Sequence, residues 1–167
     1  MSCAECNIFI VNIVIRFGIT GKRGRLEMKP YITHYRPIYA DTDAMGIVYH
    51  ANYLRFFELG RTEFLREIGF TYRRLDDQEG VMLPLVDVAV KYKKPALYDE
   101  LLEIRTTIAE LKNASVTMSY EIYNEKGELL TKGTTRHAVT DSSLRPVVLK
   151  KHAPELHKLL IEAMNEE

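Results

Sequence analysis

The sequence predicts an α+β domain in which one long helix is set against an antiparallel sheet. Three observations carry this. An apolar stripe at helical spacing runs from Asn52 to about Ile68. Strand-like alternation recurs after residue 85, and Asn124-Glu125-Lys126-Gly127 reads as a hairpin turn. The chain has 167 residues, the size of one ordinary domain.

Tyr31 to Ala40 reads as a strand with Tyr31, Tyr35 and Tyr39 on one parity. Pro37 shares that parity, which points to an edge position or a bulge. A polar turn, Asp41-Thr42-Asp43-Ala44-Met45-Gly46, follows. Asn52 is then the expected N-cap of the long helix. Tyr53, Phe57, Gly60, Phe64 and Ile68 form its apolar stripe, widened by Leu54 and Leu65, while Arg55, Glu58, Arg61, Glu63, Arg66 and Glu67 fill most of the rest. Gly69 supplies the stop. Gly60 costs about 1 kcal/mol relative to alanine, a cost explained if a sheet passes close to the helix there.

Four strands come next. Val86, Val88, Val90 and Tyr92 alternate with polar or small residues, as do Leu102, Ile104, Thr106 and Ile108, and then Val116, Met118, Tyr120 and Ile122. Strict alternation predicts one buried face for each. A last strand runs from about Glu128 to Asp141. Pro154 opens a final helix with Leu156, Leu159, Leu160 and Ala163 on one face.

Residues 1–29 differ in composition and read as an N-terminal extension to a domain spanning 30–167. Ile8 to Phe17 is apolar but broken by Asn12 and Arg16, well short of the roughly 20 residues a bilayer span needs. It makes a poor signal peptide, since only Glu5 precedes it as a charge and no small-x-small site follows. The rival reading is an added edge strand, because Ile8 to Ile15 is rich in β-branched residues. Cys3 and Cys6 have no second pair to complete a zinc site, and the domain has no disulfide framework. These features predict a cytoplasmic protein without an integral membrane segment. A formal net charge of +0 gives no bulk reason to expect nucleic acid or an anionic surface as partner.

The chemistry concentrates in Tyr39 to Leu54. Asp41, Asp43 and Gly46 precede a helix start, where free backbone N–H groups carry about half a positive charge. Such an end polarises a carbonyl, and an adjacent carboxylate attacks it or activates water towards it. Gly46 lets the backbone approach a ligand. The same Asp-Thr-Asp also fits plain turn capping, and the residues alone leave both readings open. Calcium is rejected, because Met45 stands where that loop needs Asp or Asn and Asn52 where it needs Glu. No Gly-x-Ser-x-Gly elbow is present, and the five histidines show no metal spacing.

The segment resembles the hydroxybenzoyl-CoA thioesterase family, especially its bacterial acyl-CoA thioesterase branch associated with the Tol-Pal system. The matching residues are Tyr39, Asp41, Thr42, Asp43, Gly46, Val48, Tyr49, His50 and Tyr53, then Phe57, Glu58, Arg61, Glu63, Leu65 and Arg66. The match covers about residue 30 to the end. One departure is Pro37-Ile38, where the family usually has Val-Arg. The resemblance implies a hotdog fold, a long helix wrapped by a curved antiparallel sheet of about five strands. It implies an acyl-CoA thioesterase that needs no cofactor, coenzyme A being part of the substrate. Asp43 matches the family's catalytic aspartate, and His50 the position whose backbone N–H holds the thioester oxygen; the His50 ring reads as a general base, as a substrate contact or, the favoured reading, as a ring merely placed by that backbone. Gly46, Tyr49 and His50 become substrate contacts, with Tyr49 a pocket wall and Asp41 a turn group. The assembly it implies is a homodimer or homotetramer with sites between chains. Two rivals remain, a hotdog dehydratase and a non-catalytic acyl-thioester-binding module. The first wants a His base with an acidic partner on the helix, a pattern that Asp43 and His50 do not make.

Overall fold

The computed structural model describes residues 29–165. The leader, with Cys3, Cys6 and the Ile8–Phe17 run, lies outside the described residues. Strand β1 (Tyr31–Tyr35) leads through one 3-10 turn at Tyr39–Asp41 to helix α1 (Asn52–Glu67). A short helical stretch follows, α2 (Tyr72–Arg74), continued by a π turn at Leu75–Glu79. Strands β2 (Leu85–Tyr92), β3 (Leu102–Lys112), β4 (Ser115–Tyr123) and β5 (Leu129–Ala138) come next. Helices α3 (Leu149–His152) and α4 (Pro154–Asn165) close the described chain.

The five strands form one antiparallel sheet in the order β1-β3-β4-β5-β2. Phe56, Phe57, Phe64 and Leu65 of α1 are buried with Leu102, Ile104, Met118, Tyr120 and Ile122 of the sheet. The stacked pair Phe57–Tyr120, with centroids 4.5 Å apart, sits at the centre of this contact. The helix approaches closely because two glycines allow it. A Cβ on Gly60 would meet Thr106 Oγ1 at 2.5 Å, and one on Gly133 would clash with the edge of the Phe57 ring.

Gly69 (φ +84°) ends α1 in a Schellman motif: its N–H donates to the Arg66 carbonyl, and the Phe70 N–H donates to that of Leu65. Three expectations need correction. The first strand stops at Tyr35, before Pro37, and Tyr39 lies beyond it in a 3-10 turn, 81% exposed. Asn52 is not the N-cap. Ala51 occupies that place with no side-chain capping bond, and the Asn52 amide is drawn instead to the Asp41 carbonyl at 2.9 Å. Finally, β2 shows no buried face of the predicted kind. Val86 and Val88 stay exposed, and of the alternating set only Val90 packs on the core. β2 is an outer strand of the sheet, and among the described residues β5 is its only strand neighbour.

Candidate active site

The loop between the 3-10 turn and α1 is built around Asp41, which is fully buried. Its Oδ2 accepts from the Tyr35 hydroxyl (2.7 Å) and the Ile38 N–H (3.0 Å), and its Oδ1 accepts from Arg55 (2.8 Å). Its carbonyl accepts from the Tyr49 N–H (2.8 Å) and the Asn52 amide. Burial disfavours the charged carboxylate, but the donors from Tyr35, Ile38 and Arg55 outweigh it and hold the carboxyl below its usual range. Asp41 therefore ties β1, the turn and the first helical turn together.

Asp43 heads the tight turn that follows. Its N–H donates to the Ile47 carbonyl and its carbonyl accepts from the Gly46 N–H, both at 2.9 Å. Gly46 has φ +75°, in the left-handed region that glycine adopts without a Cβ penalty. Asp43 Oδ1 accepts from the Met45 N–H at 2.8 Å, an Asx turn. Among the described residues no hydrogen bond engages Oδ2. The turn thus uses one oxygen of this carboxylate and leaves the other without a partner among the described residues.

The chain then enters α1. The Val48 N–H donates to the Ala96 carbonyl (2.9 Å), and the Ala96 N–H donates to the buried Tyr53 hydroxyl (3.0 Å). The Tyr49 and His50 rings lie 4.3 Å apart on the exposed side. The N–H groups of His50 and Ala51 donate to nothing among the described residues, as free donors at a helix start do. The His50 carbonyl accepts from the Tyr92 hydroxyl at 2.8 Å. Asp43, Gly46, Tyr49 and His50 therefore share one loop at the positive end of α1.

The Tyr92 contact was not foreseen, because nothing in the sequence links residues 42 apart. Among the described residues no group of three or more His, Cys, Asp or Glu could hold a metal ion. Two cavities lie away from the loop. One is lined by Arg61, Tyr72, Met118, His137 and Leu156, and the other by Lys112, Ser115, Arg136 and Pro146.

Residues 39–159 match the model of the thioesterase-like superfamily, which takes in the loop, the long helix and four of the five strands. The chain belongs to that superfamily. A superfamily relative, the YneP protein of Bacillus subtilis, is 42% identical over 120 residues, covering 71% of this chain and 86% of that one. The acyl-CoA thioesterase YbgC of Haemophilus influenzae is 36% identical over 117 residues, 70% of this chain and 85% of its own length. Among solved structures, a DHNA-CoA thioesterase from Staphylococcus aureus superposes with a TM-score of 0.77 at 34% identity, covering 81% of this chain and 93% of that one. These likenesses fix the hotdog thioesterase architecture. Among the described residues no helix is long and apolar enough to cross a membrane.

Proposed function

We propose that this chain is an acyl-CoA thioesterase that hydrolyses its substrate through Asp43, with the His50 N–H holding the thioester oxygen. The observation that carries the reading is one loop with a free carboxylate oxygen on Asp43 and free N–H groups on His50 and Ala51. The carbonyl oxygen of a thioester gains negative charge as it is attacked, and fixed N–H donors stabilise that charge without reorganising. As general base, Asp43 takes a proton from water, the hydroxide adds to the carbonyl, and collapse expels the coenzyme A thiolate, which is then protonated. As nucleophile, Asp43 adds to the carbonyl and expels the coenzyme A thiolate, which is then protonated, and water hydrolyses the resulting mixed anhydride to the free acid and the Asp43 carboxylate. Neither route needs a cofactor or metal. Gly46 gives the substrate access to the backbone, and Tyr49 forms a wall beside the reacting carbon.

The loop is open in a single chain: Met45 is 74% and Tyr49 44% exposed. A site that shelters an acyl chain from bulk solvent needs a cover, and a second copy pairing along β2 supplies one. Among the described residues β2 is paired along one edge only, and Leu85, Val86 and Val88 are exposed, which supports a homodimer and a tetramer built from two of them. The reading places the enzyme in the cytoplasm. Thiol release measured across a panel of short aliphatic, long aliphatic and aromatic acyl-CoAs is the test. Hydrolysis of at least one of them is the expected result. Hydration or dehydration without thiol release would show a dehydratase, and tight binding without turnover a binding module.

A further inference from the structure

Tyr92 ends β2, paired in register with Thr131 of β5. Its hydroxyl crosses to the start of α1 and donates to the His50 carbonyl at 2.8 Å. Its ring stands edge-on to Tyr53, with centroids 5.1 Å apart and planes at 76°. Tyr53 is itself fixed: it is buried, and its hydroxyl accepts from the Ala96 N–H. The reach of Tyr92 is thus set by a rigid wall rather than by a mobile side chain.

The placement of this bond matters because of which peptide groups are gripped. The Tyr49 N–H, donating to the Asp41 carbonyl, fixes the Val48–Tyr49 peptide. The Tyr92 hydroxyl fixes the His50–Ala51 peptide. Between them lies the Tyr49–His50 peptide, whose N–H is the free His50 donor and whose carbonyl accepts from the Asn52 N–H at 2.9 Å. Rotation of that peptide would have to turn its neighbours, and each neighbour is held. Hydrogen bonds weaken steeply as the donor swings off line, so a few tens of degrees of freedom would weaken a carbonyl anchor. The Tyr92 bond also polarises the His50–Ala51 peptide, which makes its Ala51 N–H a stronger donor.

We infer that Tyr92 is a positioning residue for the thioester carbonyl: its hydroxyl locks the first peptide planes of α1 so that the His50 and Ala51 N–H groups point at the substrate oxygen. The inference rests on the reading of the helix start as the carbonyl anchor. A phenylalanine at this position keeps the ring contact with Tyr53 and loses only the lock. Tyr92 is 45% exposed, so the substitution leaves no buried polar group unpaired on its own side.

The experiment uses the full chain and the acyl-CoA it hydrolyses fastest, labelled with ¹³C at the thioester carbonyl. In an Asp43→Asn background, slowed enough for the bound substrate to be observed before it turns over, the infrared stretch of the bound carbonyl reports donor strength directly. It should lie below that of the free ester in water, and adding Tyr92→Phe should move it back towards the free value. In the otherwise unchanged enzyme, Tyr92→Phe should lower kcat about three- to tenfold, the scale of one neutral hydrogen bond, with little change in KM or melting temperature. An unmoved stretch overturns the inference, whatever happens to kcat. A carbonyl that is not shifted even with Tyr92 in place sinks the helix-start reading as well, which separates the two failures.

Discussion

Asp41 and Asp43 stand two residues apart in a repeated Asp-x-Asp pattern, yet the chain uses them in different ways. Asp41 spends both carboxylate oxygens on Tyr35, Ile38 and Arg55 inside the fold. Its contacts to Tyr49 and Asn52 run through its backbone carbonyl and survive a side-chain change. Asp41→Asn should therefore cost stability, about 1–3 kcal/mol for buried donors left poorly matched, while retaining more turnover per folded molecule than Asp43→Asn does. Melting curves beside steady-state rates check this. His50→Ala keeps the backbone N–H and should keep a substantial share of turnover. A loss as large as that of Asp43→Asn would make the imidazole a participant. At this scale the sequence was informative where chemistry is local. Asp43, Gly46, Tyr49 and His50 are legible because turn, glycine and helix start follow one another along the chain. The Asp41 cluster and the Tyr92 bond were not, since partners such as Arg55 and Tyr92 come from other elements with no pattern of their own.

The elements explain how the loop is held still. Gly60 and Gly133 let α1 and the sheet meet closely, and the sequence foretold the first from a glycine inside a helical stripe. Gly60→Ala gains about 1 kcal/mol of helix propensity but overpacks Thr106 and Ile104, which typically costs about 1–3 kcal/mol, so a net loss of melting temperature is expected. A rise would mean that the sheet yields at this point. Further along the same interface, His137 Nδ1 lies 2.9 Å from the Leu83 carbonyl, so that nitrogen carries the proton. Its Nε2 then accepts from the Thr135 hydroxyl at 3.0 Å, and Tyr120 donates to Thr135 at 2.9 Å. Burial first, and then the charge of Arg61, push the His137 pKa below its ordinary value. The unfolded chain protonates this histidine near pH 6.5 while the folded chain resists. Its stabilising contribution is full above that pH and is lost as pH falls towards the folded value. The melting temperature of His137→Gln should accordingly fall less steeply than that of the parent between about pH 7 and pH 5, the window set by the free histidine value. Equal slopes would remove His137 from the account. None of this relay was legible beforehand, because a lone histidine in an alternating strand carries no sign of its neighbours.

At the scale of the whole molecule, the order of the main elements was legible, strand, long helix, four strands, helix, while the short α2, the π turn after it and α3 were not. What periodicity misjudged was β2, whose alternation predicted a buried face that the described residues do not provide. Period-2 patterning marks a face meant for burial without saying which surface buries it. The proposed homodimer accounts for that mismatch by placing the cover on the partner chain. Light scattering should show at least a dimer at low micromolar concentration, and a fully active monomer would contradict the account. A chain beginning at Met28 should fold and keep its turnover, because the composition changes there and the domain reads as 30–167. A large loss of activity or melting temperature would instead put residues 8–17 into the working domain.

The central claim is that the Asp43 carboxylate carries out the hydrolysis. Asparagine has the same shape, and its amide oxygen still accepts from the Met45 N–H, yet it neither removes a proton nor attacks effectively. The decisive measurement is kcat of Asp43→Asn on the best acyl-CoA, with a melting curve to establish folding. The account predicts a folded protein whose turnover falls by about 10² to 10⁴, the scale for loss of a general base. A folded variant with near-parental kcat would contradict it.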